Sequence, residues 1–327
     1  MMRPTIDLLR ANAAAHAASS EWIVLRHLLT QHEAIAAADA QLATLRAEAE
    51  LRTGRPREAH QWIARVLSTI EQSGDRHSRR RALNLRAVAA LELGELEEAQ
   101  QTFVAVLELA YNDGDELLTA RVLNNLGALA DMRDRLDDAV TAYEQAIPAY
   151  QRLGDARGLA ETHHNLAMSF RHHGQTREAE DHERQAIGFA REARHTTLES
   201  LARLGMAELK LAAGDAPLAE AMARHAADRF VTCGDGLREA DAFRVVAAAC
   251  LAQHKLGAAD DALRHACQLA VARGARLLEA ELRQLASELY LAVGRTDVAR
   301  EAADQAAQLF EQVGSAAKAT AARRRAH

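Results

Sequence analysis

Histidine is the residue type whose spacing most suggests chemistry, because six histidines fall within one short stretch: His163, His164, His172, His173, His182 and His195. A zinc ion needs ligands within about 2.1 Å of one point, as when two histidines lie four residues apart on a helix. Here the adjacent pairs lie eight to ten residues apart, roughly 12 to 15 Å along a helix axis. Only His172 and His173 could meet His182 on an antiparallel helix, and adjacent residues point in different directions. The histidines are therefore predicted to be solvated surface residues, with no metal ion and no cofactor.

The other reactive side chains form no catalytic motif. The sequence has no GxSxG elbow, no Walker loop and no GxGxxG turn, the arrangements that position a nucleophile or a phosphate. Cys233, Cys250 and Cys267 include no CxxC pair, and the last two fall on apolar positions typical of small buried hydrophobic residues. An odd number of cysteines without such a pair is typical of a reducing compartment. We therefore expect a cytoplasmic protein that is not an enzyme.

Composition and charge exclude several classes of partner. The chain has a net charge of −6 and a pI near 6.2, whereas a duplex nucleic-acid binder needs a concentrated basic face. No apolar run approaches the roughly 20 residues that cross a bilayer. Only 4% of the residues are aromatic, and abundant alanine favours closely packed helices over a sheet. We expect neither nucleic acid nor a membrane as a direct partner.

Glycine and alanine reveal an internal repeat of 40 residues. Eleven of the 17 glycines fall on two series offset by 20 residues: Gly54, Gly94, Gly174, Gly214 and Gly294, and Gly74, Gly114, Gly154, Gly234, Gly274 and Gly314. Asp134, His254 and Arg194 occupy the positions that these series leave open. One alanine recurs in all seven copies: Ala59, Ala99, Ala139, Ala179, Ala219, Ala259 and Ala299. No insertion therefore interrupts the register.

Each repeat is predicted to contain two helices. Glycine often ends a helix because it adopts the left-handed conformation without a Cβ penalty. Residues that cap or open helices follow both series: Asp75, Asp115, Asp155 and Asp235 after one, and Pro56, Thr176, Pro217 and Thr296 after the other. These residues satisfy or omit the free N–H groups of a first turn. Each helix is thus expected to have about 16 residues and a length of roughly 24 Å.

The predicted fold is all-α, a stack of about seven helical hairpins at residues 35–74, 75–114, 115–154, 155–194, 195–234, 235–274 and 275–314. Trp22 and Ile23 precede Trp62 and Ile63 by 40 residues, so residues 1–34 are interpreted as a degenerate N-terminal capping unit. Residues 315–327 are expected to form a C-terminal capping helix or a frayed basic tail. Such an array buries one continuous core, and we expect no internal domain boundary.

The third and fourth hairpins resemble a known family. Leu123-Asn124-Asn125-Leu126-Gly127 in a first helix, followed by Ala139, Tyr143 and Ala146 in a second, resembles the tetratricopeptide repeat, whose usual period is 34 residues. The sequence is similar to the longer variety, with a period of 40, of kinesin light chains, Leu-Gly-Asn-type scaffolds and the sensor regions of bacterial regulators. HEAT repeats share the period, but two equal glycine-marked halves with a recurrent alanine favour the tetratricopeptide repeat. In other copies the aromatic position becomes Glu183, Ala223 and Ala303.

This resemblance implies a right-handed α-solenoid whose first helices line a concave groove for a peptide or a partner protein. Where the copies depart from their shared pattern, polar residues fall on the groove side: Arg81, Asn84, Arg121, Asn124, Asp131, His164, Arg171 and His172, with Asn125 and Asn165 beside them. Asparagine can pair with any peptide backbone, and arginine can bind a carboxylate in a bidentate manner. These residues predict a site for an extended peptide or an acidic tail. The alternative is an inter-repeat salt bridge between Asp131 and Arg171, with asparagines that cap or pack locally.

The later copies offer an apolar strip instead: Leu201, Leu204, Leu211, Leu251 and Leu291. Such a strip could accept an amphipathic helix from a partner, from a second copy in a homo-oligomer, or from the chain's own C-terminal segment. Burial in the core is the alternative.

The function expected from these features is a non-catalytic scaffold or adaptor that binds a protein or peptide in the groove. The alternative is a peptide- or ligand-sensing regulatory subunit that acts on a separate effector protein. The carboxylate-clamp pattern of lysine and asparagine is not matched, so recognition of a free C-terminus is not expected. A repeat-borne phosphatase is a third reading, but the N-terminal catalytic bundle that it would need is lacking.

Overall fold

The computed structural model describes residues 5–19, 21–313 and 315–325, and this part of the chain is helical throughout, without a strand. Its helices are α1 (Ile6–Ala18), α2 (Trp22–Gln31), α3 (Glu33–Ala38), α4 (Ala40–Arg52), α5 (Pro56–Gln72), α6 (Arg76–Glu92), α7 (Leu96–Asn112), α8 (Glu116–Met132), α9 (Leu136–Leu153), α10 (Ala156–His172), α11 (Thr176–Glu192), α12 (Thr196–Ala212), α13 (Ala216–Cys233), α14 (Gly236–Ala252), α15 (Leu256–Arg273), α16 (Arg276–Ala292), α17 (Thr296–Gln312) and α18 (Ala316–Arg325). The predicted all-α stack of hairpins is confirmed. Gly314 and the ends of the two predicted terminal segments lie outside the described residues.

The turns between helices use the left-handed backbone that the glycine series predicts. Gly154, for example, ends α9 with φ 63°, a conformation without steric cost for glycine. Asp134, Arg194 and His254, which replace glycine in the series, adopt the same conformation at φ 59°, 51° and 56°. The register of the repeat is therefore retained where glycine is missing, at the cost of strain in those three residues.

The predicted aspartate caps are also present. The Asp115 carboxylate accepts a hydrogen bond from the Leu118 N–H at 3.1 Å, and the Asp155 carboxylate accepts one from the Gly158 N–H at 2.9 Å. From α5 to α17 each helix has 17 or 18 residues, slightly more than predicted. The first repeat differs, because Asp39 caps a new helix at α4 and separates it from the six-residue α3.

The chain divides into two compact units, Met1–Gly154 and Asp155–His327, rather than forming the single undivided stack expected from the sequence. The division coincides with a repeat junction, so no linker marks it. In the first unit, Leu25, Leu29 and Ile63 belong to one buried cluster and Phe103 to another. In the second, Phe230 lies in the main core cluster.

The C-terminal helix belongs to the second unit. Ala319 and Ala322 of α18 are buried against Phe310 of α17. The recurrent alanines are all at most 2% exposed, which fits the close helix approach that small residues permit. No helix in the described parts of the chain combines the length and apolarity that crossing a membrane requires.

Candidate binding groove

The second unit contains an open groove of about 790 Å³. Its walls come from the first helices of successive hairpins, α10, α12, α14 and α16, and α18 contributes Lys318 and Ala321. The helices alternate along the chain between first and second members of hairpins, so every second helix presents a face to the groove. The lining is polar and apolar in similar measure, which suits a polypeptide ligand with both kinds of side chain.

An ion-pair network lies along this groove. Arg171 of α10 pairs with Glu208 of α12, and the same glutamate receives a hydrogen bond from Nη2 of Arg244 at 2.5 Å. Burial acts to raise the pKa of Glu208, but Arg171 and Arg244 outweigh it and hold this pKa below its ordinary value. Glu208 therefore stays charged at neutral pH and joins three first helices electrostatically.

Arg244 is the centre of the network. Its Nε donates to Asp241 Oδ1 at 2.7 Å and lies 3.9 Å from Glu281 Oε2. Glu281 in turn accepts a hydrogen bond from Nζ of Lys318 at 2.8 Å. Burial would lower the pKa of Arg244, but the surrounding carboxylates raise it. Burial also raises the pKa of Asp241 in spite of its contact with Arg244, so negative charge is concentrated on this part of the groove.

A buried carboxylate lies directly behind the groove wall. Glu183 of α11 is 1% exposed, and both of its oxygens lie 3.1 Å from Nδ1 of His164. Burial raises the pKa of Glu183, although His164 opposes this effect. A Cβ at Gly205 would lie 1.9 Å from Glu183 Oε1, so only glycine leaves room for the carboxylate. Glu183 thus uses the aromatic position of the repeat to orient His164, which lines the groove.

The predicted groove residues are divided between the two units. His164, Arg171 and His172 line the groove of the second unit, and Asn165 follows His164 on α10 without being part of the lining. The other predicted residues belong to α6 and α8 of the first unit: Arg81, Asn84, Arg121, Asn124, Asn125 and Asp131.

Two of the predicted cations already have acidic partners. Arg81 pairs with Glu48 and Arg171 with Glu208, so an acidic ligand would have to replace an existing ion pair. Asn84 keeps an unused group, since its buried Oδ1 has no hydrogen-bond partner among the described residues. That oxygen could accept a hydrogen bond from a ligand backbone N–H.

The five leucines of the apolar strip have different environments. Leu204 is 3% exposed in the core, and Leu201 and Leu251 pack against the same cluster. Leu211 is half-buried, whereas Leu291 is 40% exposed. Leu201 and Leu204 also form part of the groove wall. Among the five, Leu291 is therefore the residue most accessible to another molecule.

One histidine prediction is wrong. His163 is 4% exposed rather than solvated, and its Nδ1 lies 2.9 Å from Nδ1 of His182. In an antiparallel hairpin, residues equally far from the turn face each other, so position 163 meets 182 while His172 lies at the turn. The rings of Phe170, His182, His163 and Phe189 form a continuous stack with centroids 5.1 to 5.5 Å apart. Burial and the neighbouring His182 lower the pKa of His163 to about 4.

A group that the sequence analysis did not identify could hold a metal ion. One ligand atom each from His60, Glu95 and Glu98, in the first unit, lie within 4.8 Å of one another. Nε2 of His60 is 2.9 Å from Glu98 Oε1, but Arg86 donates to that same oxygen at 2.8 Å. The arginine competes with a cation for this carboxylate. The three residues are far apart in the sequence and match no ligand spacing, so sequence reasoning could not group them.

Comparison with known proteins places these hairpins in a family. The profile of the tetratricopeptide repeat matches residues 78–152 and 118–192. No curated protein sequence is significantly similar to the chain.

The structure is similar to several solved structures at low sequence identity. A Rap protein complexed with Competence and Sporulation Factor aligns with a TM-score of 0.70 and 15% identity, over 98% of this chain and 96% of that one. The Rap conjugation gene regulator of plasmid pLS20, in complex with the Phr* peptide, aligns with a TM-score of 0.69 and 15% identity, over 89% and 78%. The apo form of the quorum sensor NprR from B. thuringiensis aligns with a TM-score of 0.62 and 12% identity, over 97% and 96%.

At this level of identity the structural likeness establishes a shared fold. The profile match covers the hairpins in which the sequence resemblance is strongest, and the same turns and recurrent alanines continue along the rest of the chain. The chain is therefore a member of the tetratricopeptide repeat family.

Proposed function

We propose that this protein is a non-catalytic scaffold or adaptor that binds a protein segment or an extended peptide in the groove of its second unit. The observation that supports this proposal most directly is the groove itself. Four first helices and α18 present charged residues and apolar residues such as Leu204 and Leu285 to one open channel. A channel of this kind fits a polypeptide, whose backbone and side chains need both types of contact.

The first unit is proposed to contribute a second contact surface. Asn84, Asn124 and Asn125 are half-buried on α6 and α8, where their amides can pair with a peptide backbone. The protein is further proposed to work in the cytoplasm without a cofactor and without direct binding of nucleic acid or membranes.

A selection of random displayed dodecapeptides on the full-length protein tests this function. Ala248 lines the groove on α14, so Ala248→Arg should block it and reduce binding of the selected peptides at least about tenfold, the effect expected for loss of a central contact. Arg184→Ala, on the exposed side of α11, is the control and should leave binding unchanged. Peptides that bind wild type and Ala248→Arg equally would exclude the groove as the site.

The contribution of the first unit is tested separately. Asn124→Ala combined with Asn125→Ala should weaken the same peptides if they extend to α8. Unchanged affinity would remove these residues from the proposed site. Self-association is tested by light scattering of Leu291→Glu, because Leu291 is the most exposed leucine of the strip. An unaltered molecular mass would exclude this leucine as an oligomer contact.

A second candidate is a sensory subunit whose ligand changes the arrangement of the second unit and thereby controls a separate effector. The ion pairs of Glu208 with Arg171 and Arg244 support it, because they connect successive first helices at the place where a ligand would bind. The similar Rap structures contain a bound factor or peptide. Hydrogen exchange of α12 and α14 with and without a selected peptide distinguishes the two functions. Unchanged protection outside the contact residues would favour the scaffold.

A further inference from the structure

Five residues of the groove form a line of alternating charge, which we call the charge ladder: Arg171, Glu208, Arg244, Glu281 and Lys318. They lie on α10, α12, α14, α16 and α18, whose first residues are 40 positions apart. The ladder residues are separated by only 37, 36, 37 and 37 positions. Each lies three or four residues, about one helical turn, nearer the start of its helix than the one before. The ladder therefore crosses the groove diagonally.

Each ladder residue contacts the next. Arg171 pairs with Glu208, Glu208 with Arg244 at 2.5 Å, Arg244 with Glu281 at 3.9 Å, and Glu281 with Lys318 at 2.8 Å. The side chains are between 21% and 54% exposed, so a ligand can reach them without unfolding the groove. The ladder is fixed by the fold and open to solvent at the same time.

Alternation of sign determines which ligand charge is favourable. A uniformly acidic or uniformly basic segment would be attracted by one ladder residue and repelled by the next. A segment with alternating charges can match every ladder residue in one register. Complementary charge patterns of this kind select partners and reject wrong ones by repulsion.

The spacing of the ladder indicates the backbone conformation of the ligand. Packed helices are about 8 to 10 Å apart, and the one-turn offset places successive ladder residues roughly 10 Å apart. In a polyproline II segment, side chains three residues apart lie on the same face about 9 Å apart. In a β-strand, same-face side chains recur at about 7 or 13 Å, which does not match. Leu204, Ala248 and Leu285 provide apolar lining alongside the ladder, suited to proline rings or short side chains.

We propose that the groove binds an extended, polyproline II-like protein segment in which acidic and basic side chains alternate at every third position. This inference rests on the proposed groove-binding function and specifies its ligand class.

Fluorescence anisotropy with the full-length protein tests the proposal. The probe is a labelled decapeptide, Glu-Pro-Ser-Arg-Pro-Ser-Glu-Pro-Ser-Arg, and its comparison is the isomer Glu-Glu-Pro-Ser-Pro-Ser-Pro-Ser-Arg-Arg, which has the same composition and net charge. An exposed ion pair contributes up to about fivefold in affinity, so the alternating peptide should bind about tenfold more tightly than the isomer. Equal affinities would overturn the proposal. So would tighter binding of peptides in which all four charged positions are Glu or all are Arg.

Variants link the preference to the ladder. Glu281→Gln keeps the shape of the side chain and removes one ladder charge, so it should reduce the preference for the alternating peptide about fivefold. Lys255→Gln is the matched control, because Lys255 also forms an exposed pair with a glutamate at 2.8 Å but is not among the groove residues. Far-UV circular dichroism verifies that both variants remain folded. An unchanged preference in Glu281→Gln would also overturn the proposal.

The displayed-peptide selection separates failure of this inference from failure of the proposed function. If selected peptides bind in the groove with another charge pattern, the ligand class is wrong and the binding function stands. If neither the selection nor the decapeptide yields binding that Ala248→Arg reduces, both are wrong.

Discussion

Replacing Gly127 with alanine should destabilise the first unit, although alanine is the better helix former. Gly127 lies inside α8, and a Cβ at this position would be 2.6 to 2.7 Å from three ring carbons of Tyr143. Tyr143 is 1% exposed, so its ring cannot move away without displacing other core residues. The glycine is therefore required by the aromatic residue of the same hairpin.

The expected magnitude follows from two opposing contributions. Glycine to alanine in a helix interior is worth about 1 kcal/mol in favour of alanine, whereas overpacking a core costs about 1 to 3 kcal/mol. Contacts below 3 Å with ring carbons correspond to the upper part of that range, so Gly127→Ala should lower the free energy of unfolding by about 1 to 2 kcal/mol. Gly188, inside α11, has no atom within 4 Å of an added Cβ. Gly188→Ala should therefore stabilise the protein by up to about 1 kcal/mol.

Urea denaturation monitored by far-UV circular dichroism measures both variants. Hydrogen exchange of α8 and α9 reports the local effect, since repeat arrays do not always unfold in one step. Tyr143→Leu in the Gly127→Ala background should recover part of the loss, because it removes the ring. The reasoning is refuted if Gly127→Ala is as stable as Gly188→Ala.

Three further predictions follow from the turns and from the ring stack. The pKa of His163 is lowered to about 4, so the unfolded chain binds more protons below about pH 6.5 and stability should decrease from there towards pH 4. His163→Phe should flatten this dependence of the urea midpoint, and an unchanged slope would contradict the assignment. Asp155→Ala removes the cap on Gly158 and should cost about 1 kcal/mol by thermal unfolding, with Asp155→Ser close to wild type. His254→Gly relieves a left-handed residue with φ 56° and should raise stability by roughly 1 kcal/mol, and a lower melting temperature would argue against strain there.

The sequence by itself determined the hairpins and their register. Helix ends depend on residues within a few positions of one another, such as Gly154 followed by the cap Asp155, and this local chemistry recurs every 40 residues. For the same reason the sequence predicted that Asp134, Arg194 and His254 stand in glycine positions, and the structure confirms their left-handed backbone.

Only the tertiary structure decided which side chains meet. Comparison of positions 40 residues apart aligns Arg171 with Leu211, whereas the structure pairs Arg171 with Glu208, one turn earlier on the next first helix. The antiparallel hairpin likewise brings His163 to His182, and the space at Gly205 admits the buried carboxylate of Glu183. Such contacts depend on the distance and offset between packed helices. Those quantities arise from the core as a whole and leave no local pattern in the chain.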